Sequence, residues 1–112
     1  MNTRRKTRPA KPGRAALERI KKYHPHLYRA LKNPTPKARL GANVTALRLK
    51  KGMTREQLAS RAKMGRHALR KIEEAHPTSN PTVQVVEKLA SALGVDILDL
   101  YRFIEQVETM VR

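Results

Sequence analysis

Two short helical patterns separated by about three residues constrain this chain more than any other feature of it. They occupy Thr54 to Glu74, TREQLASRAKMGRHALRKIEE. The first pattern gathers Leu58, Ala59 and Ala62 on one face, and the second gathers Ala68, Leu69 and Ile72. Met64 falls between them, where an apolar side chain can wedge into the angle of a tight turn. The second helix then presents Arg66, His67, Arg70 and Lys71 away from its apolar stripe. A short helix with a buried back and a basic front has the shape and charge to enter a DNA major groove.

The charge of the whole chain agrees with a polyanionic partner. Its 112 residues carry 25 Lys and Arg against 9 Asp and Glu, a net charge of +16. Nucleic acid and an anionic membrane surface are the usual partners of such a balance, against the blander option of a merely soluble basic protein. Residues 1–39 hold a net +12, residues 40–75 a net +6 and residues 76–112 a net −2. The last third is therefore a poor candidate for phosphate contact. The chain has no cysteine, which leaves no disulfide and no thiolate ligand or nucleophile. No apolar run approaches a membrane span. The Arg-rich start mimics a transit peptide, but Pro9 and Pro12 interrupt any amphipathic helix there. The expectation is a soluble, cytoplasmic, nucleoid-associated protein without a membrane partner.

Residues 1–13 (MNTRRKTRPAKPG) combine cations, prolines and glycine and bury little, so they read as a disordered basic arm. Arg4, Arg5, Lys6 and Arg8 are its candidate DNA-backbone contacts, against a solvated tail or localisation patch. Residues 14–37 read as a short helical extension and a proline-rich linker. Ala16, Leu17, Ile20 and Tyr23 keep helical spacing, His24-Pro25 breaks it, and Leu27, Tyr28 and Leu31 give another turn or two. Pieces this short must dock on something or stay marginal. His24 and His26 lack further ligands for a zinc site, so no metal and no cofactor is expected.

Residues 38–112 form the main unit. Leu40, Val44, Leu47 and Leu49 suit a first helix from Ala38, closed by Gly52 after a basic last turn. Thr54 caps the second helix, with Gln57 as its capping-box partner. Thr82 caps a fourth, with Val83, Val86, Leu89, Ala90 and Leu93 in register and Gly94 closing it. Asp96 is placed to cap a fifth. Its stripe of Ile97, Leu100, Ile104, Val107 and Val111 continues as an a/d repeat for two heptads. That stripe is either a dimerisation surface or a face packed on the protein's own first helices. No β signal occurs, so the fold class is all-α.

From Leu40 to Tyr101 the chain resembles the lambda-repressor-like, or XRE, helix-turn-helix family. The matching pieces are LGANVTALRLKKGMT, REQLA, ALRKIEE and NPTVQVVEKLASALGVDILDLY, in family order. The resemblance implies a five-helix DNA-binding domain, with the basic, partly helical segment as an N-terminal extension. It implies base reading by Arg66, His67 and Lys71, with Arg66 as the chief specificity residue through bidentate contact to guanine. Backbone contacts are implied for Arg55, Lys63 and Arg70, and for Thr78, Ser79 and Asn80 in the loop after the third helix. Arg48 and Glu73 match a salt bridge between the first and third helices. Two positions depart from the pattern: Lys63 and Ala75 stand where the family usually has Gly. Lys63 would carry about 1–2 kcal/mol of strain if it kept the usual turn. With Ala75 in place of Gly, the third helix is expected to run further.

The function implied is a sequence-specific transcriptional regulator, a repressor acting as a homodimer on double-stranded DNA. The alternatives are an antitoxin that represses its own operon, with residues 14–32 as the toxin surface, and a non-catalytic bridging coactivator. Glu56, Glu73 and Glu74 have no partner at a spacing that builds acid–base chemistry, and no Gly-rich phosphate loop exists, so no enzyme is expected.

Overall fold

Three threonines set the starts of three helices. Thr35, Thr54 and Thr82 each accept a hydrogen bond on Oγ1 from the backbone N–H three residues on, at 3.1, 3.1 and 3.2 Å. This satisfies a donor that the first turn leaves orphaned. Gln57 Oε1 returns the bond to the Thr54 N–H at 2.9 Å, completing the expected capping box. The computed structural model describes residues 13–102, and all regular structure among them is helical. In order these are α1 (Arg14–Tyr23), α2 (Pro25–Lys32), α3 (Pro36–Lys50), α4 (Arg55–Arg61), α5 (Arg66–Glu73), α6 (Val83–Leu93) and a 3-10 helix, Ile97–Tyr101. None of the described helices is long and apolar enough to cross a membrane.

Four helices end alike. After α3, α4, α5 and α6 one residue turns left-handed, at Gly52, Lys63, Ala75 and Gly94, with φ of 69°, 56°, 51° and 71°. In each the next N–H reaches back to a carbonyl five residues earlier, from Met53, Met64, His76 and Val95 at 2.9–3.0 Å. This is the Schellman closure, which favours glycine because a Cβ crowds the following carbonyl. Lys63 and Ala75 adopt it without glycine. The expectation that α5 runs past Glu74 is thus corrected: the ladder closes on Ala75 and the chain turns away.

Two apolar clusters hold the molecule together, and α3 belongs to both. The larger joins Leu40 and Val44 of α3 to Leu58, Leu69, Ile72, Val86, Leu89, Leu93 and Leu100. The smaller joins Ile20, Leu27 and Ala30 of the α1–α2 hairpin to Ala42 and Ala46 on the other side of α3. The hairpin therefore docks on α3, where small side chains one turn apart let α2 come close. Gly41, on the side facing α5, is tighter still. A Cβ there would lie 2.5 Å from the carbonyl oxygens of both Ile72 and Glu73. Asn43 anchors the end of the fold, its Nδ2 donating to the carbonyls of Leu100 and Arg102 at 3.1 Å each.

Several periodicity readings are revised. The α3 helix begins at Pro36 rather than Ala38, because Thr35 supplies the cap and proline suits the first helical position. Ala68 is exposed, so the buried side of α5 is Leu69, Ile72 and Glu73. Tyr23 and Val83 lie at helix ends and are also exposed. The fifth helix is one 3-10 stretch that ends at Arg102 in extended backbone, so no α-helix runs on from Ile97 through that residue. Arg4, Arg5, Lys6 and Arg8, and Ile104, Val107 and Val111, lie outside the described residues.

Candidate nucleic-acid interface

The α5 helix is eight residues long and two of its outward positions are adjacent cations, so its placement depends on what grips its back. Leu69 and Ile72 sink into the larger cluster. Glu73 is 1 % exposed, a carboxylate driven into the core because three guanidinium N–H groups await it there. Arg48 donates from Nε to Oε2 at 2.7 Å and from Nη2 to Oε1 at 3.1 Å. Arg55 donates from Nε to Oε1 at 2.9 Å. The Nη1 of Arg48 also donates to the Met53 carbonyl at 2.9 Å. The pair implied by the resemblance is present, and it ties α3 to α5 through a bidentate contact.

Arg55 differs from its expected role. The resemblance implies a DNA-backbone contact for it, yet its guanidinium turns inward to Glu73 and stands 3.7 Å from Glu74. Both carboxylates lie at the end of α5, so Arg55 braces α4 against that end. It still borders the open side of the site. A cleft of about 560 Å³ between the start of α4 and the face of α5 is lined by Arg55, Arg66, His67 and Arg70, with Arg48, Thr54 and Glu56. Arg48 and Arg55 are neutralised there by Glu73 and Arg66 is paired with the exposed Glu56, while Arg70 meets no carboxylate among the described residues, so the cleft keeps a positive balance.

That exposed carboxylate is Glu56, and it holds Arg66. Nη1 of Arg66 donates to Glu56 Oε2 at 2.7 Å, and this bond holds the Glu56 carboxyl below its usual pKa. Both side chains are more than half exposed, so the pair orients Arg66 and is readily exchanged. Nothing in the spacing of residues 56 and 66 shows this contact, because it needs the angle between α4 and α5. Lys71 is exposed on α5 but lies outside the cleft lining. Lys63 lines a separate hollow with Gln84, Glu87 and Lys88 of α6.

The loop after α5 is less open than expected. The N–H of Thr78 donates to His76 Nδ1 at 3.1 Å and its hydroxyl lies 2.9 Å from the same nitrogen. The N–H of Ser79 donates to the His76 carbonyl at 2.9 Å, and Ser79 is buried. The N–H groups of Thr78 and Ser79 are therefore engaged within the loop, which corrects their expected donation to phosphate. Asn80 is exposed. Of the two readings open for the last stripe, Leu100 follows the one in which it packs on the chain's own helices: it is 0 % exposed in the core and is not available to a dimer surface. Ile97 packs partly on the same core, and Leu98 beside it is exposed.

Two short helices meeting at a tight turn, the second basic outside and gripped inside, define the helix-turn-helix class of DNA-binding folds. Comparison with protein families agrees. A family model described as helix-turn-helix matches residues 44–100, half of the chain, and the chain belongs to this family, as its resemblance to lambda-repressor-like proteins implies. Membership makes it a DNA-binding transcription regulator. No curated protein and no solved structure matches the chain.

Proposed function

We propose that the protein is a sequence-specific repressor that lays α5 in the major groove as a homodimer on a palindromic operator. The observation that carries this is the basic cleft, in which Arg66, His67 and Arg70 share one face of a helix fixed from behind by Glu73. Arg66, His67 and Lys71 read base edges. Arg70, Lys63, Asn80 and the arm residues Arg4, Arg5, Lys6 and Arg8 meet phosphates. With Leu100 withdrawn into the core, the dimer contact falls to Ile97, the exposed Leu98, and Ile104, Val107 and Val111.

Selection of bound sequences from a random duplex library tests this. A palindromic site with half-sites one helical turn apart is expected, returning site and dimer geometry together. Arg66→Ala should then relax one position of each half-site by about 1–3 kcal/mol. Recovery of no preferred sequence would overturn the proposal and leave nonspecific binding. An antitoxin role would require in addition a toxin-like reading frame next to the gene.

A further inference from the structure

The α1–α2 hairpin is densely cationic. Between residues 14 and 37 seven side chains are cationic and one, Glu18, is anionic. Among the described residues none of those seven cations stands within ion-pair distance of a carboxylate, whereas Arg48, Arg55 and Arg66 of the adjoining domain all do. The hairpin also draws its cations together. The ammonium groups of Lys21 and Lys32, from different helices, lie 5.6 and 5.8 Å from the centre of the same Tyr28 ring. Cation–ring attraction at an exposed site is worth about 0.5–1 kcal/mol per contact, and it gathers two like charges that water would otherwise let drift apart.

The placement of this cluster gives it a partner. Ile20, Leu27 and Ala30 fix the hairpin to α3. Across a hollow of about 480 Å³, Tyr28, Arg29, Lys32 and Lys37 face Glu74 and Ala75, where α5 ends. Lys37 Nζ donates to the Pro77 carbonyl at 3.2 Å, joining this flank to the loop that follows α5. The hairpin is thus a rigid basic shoulder beside the end of the helix assigned to the groove.

We propose that this shoulder is a second, sequence-independent phosphate-binding surface, which grips the duplex backbone beyond the end of α5. The inference rests on the reading of α5 as the groove helix. Lys21, Arg29 and Lys32 carry it: all are exposed, and none is needed for the apolar docking. They extend the footprint without reading bases, so they raise affinity for every duplex equally.

The test measures binding of the full chain to its selected operator and to a scrambled duplex across a salt series. Each phosphate contact contributes a slope of about −0.9 in log affinity against log salt. The triple variant Lys21→Gln/Arg29→Gln/Lys32→Gln should flatten the slope by about 2–3 and weaken both duplexes about eightfold per lost contact at 0.1 M salt. The preference for operator over scrambled DNA should stay unchanged. Lys32→Glu alone should weaken both duplexes more than Lys32→Gln does. Circular dichroism of each variant checks that it keeps its helices. A wild-type slope and affinity in the triple variant would overturn the inference while the regulator reading stands, and would direct the shoulder to a protein partner. A slope change in a chain without sequence preference would uphold the shoulder and overturn the regulator reading. Failure of the wild-type chain to bind any duplex would overturn both.

Discussion

Removal of the Glu73 carboxylate is the sharpest test of how α5 is held. The side chain is fully buried and accepts three N–H groups, two from Arg48 and one from Arg55. Glu73→Ala leaves the buried Arg48 guanidinium with only the Met53 carbonyl as a partner. Stranding one member of a buried pair is destabilising by about 3–5 kcal/mol. Coulomb attraction between unit charges at such a separation is about 4 kcal/mol at an effective dielectric of 20, which agrees. A domain of this size has about 5–15 kcal/mol in all, so the variant should be marginal. Arg55 is partly exposed and can swing to water, so Arg55→Ala should cost less, about 1–2 kcal/mol. The double variant Arg48→Met/Glu73→Leu removes both buried charges and should recover most of the loss. Urea unfolding followed by circular dichroism reads all three. A loss below about 1 kcal/mol for Glu73→Ala would refute the claim that this carboxylate clamps α5 to α3.

Three further expectations follow from the packing. Gly41→Ala places a Cβ 2.5 Å from two backbone carbonyl oxygens that cannot rotate away. Overpacking against rigid backbone should reach the upper end of its usual range of about 1–3 kcal/mol and outweigh the gain in helix propensity of about 1 kcal/mol, for a net loss of about 1–2 kcal/mol in the same unfolding assay. Lys63→Gly and Ala75→Gly each relieve a left-handed Cβ, so each should stabilise the fold by about 0.5–1 kcal/mol after the greater freedom of the unfolded chain is counted, read as a higher thermal midpoint. His26 has its pKa lowered, chiefly by burial between α2 and α3, with Arg55 and His24 adding to the effect and Glu73 and Glu74 opposing it. Its folded form binds fewer protons than its unfolded form, so stability present above pH 6.5 should fall as pH drops from there towards the lowered pKa. His26→Gln should flatten that part of a stability–pH curve, and an unchanged slope would count against His26 as the group responsible.

Much of the fold was legible because it rests on short-range chemistry. Thr54 with Gln57, Thr82, Gly52 and Gly94 mark helix ends through bonds to residues three to five away, and such bonds need only local sequence. Leu58, Leu69, Val86, Leu89 and Leu93 were readable because 3.6-residue spacing fixes which side faces inward. What escaped depends on distances between helices. Gly41 resembles any helix-weakening glycine until α5 is laid across it. The direction of Arg55, inward to Glu73 rather than outward to phosphate, was decided by a carboxylate 18 residues away. The docking of the hairpin did leave a signal, in a second stripe of Ala38, Ala42, Ala46 and Leu49 on α3. That stripe was masked because α3 is apolar on two sides, which blurs the periodicity of either one.

The two-sided burial of α3 also bears on how the cations of the molecule act together. One side of α3 holds α5 through Gly41 and Arg48, and the other holds the hairpin through Ala42 and Ala46. Arg66 and Arg70 on one element and Lys21 and Lys32 on another are therefore carried by a single rigid helix between them. Ordering loose charged side chains on binding costs about 0.5–1.5 kcal/mol apiece, and a floating tail adds the cost of its own backbone. A shoulder already docked adds only the side-chain part. Loosening α3 on the hairpin side, as with Ala46→Gly, should therefore weaken DNA binding through the shoulder while leaving operator preference intact. Loosening it on the α5 side should erode the preference itself.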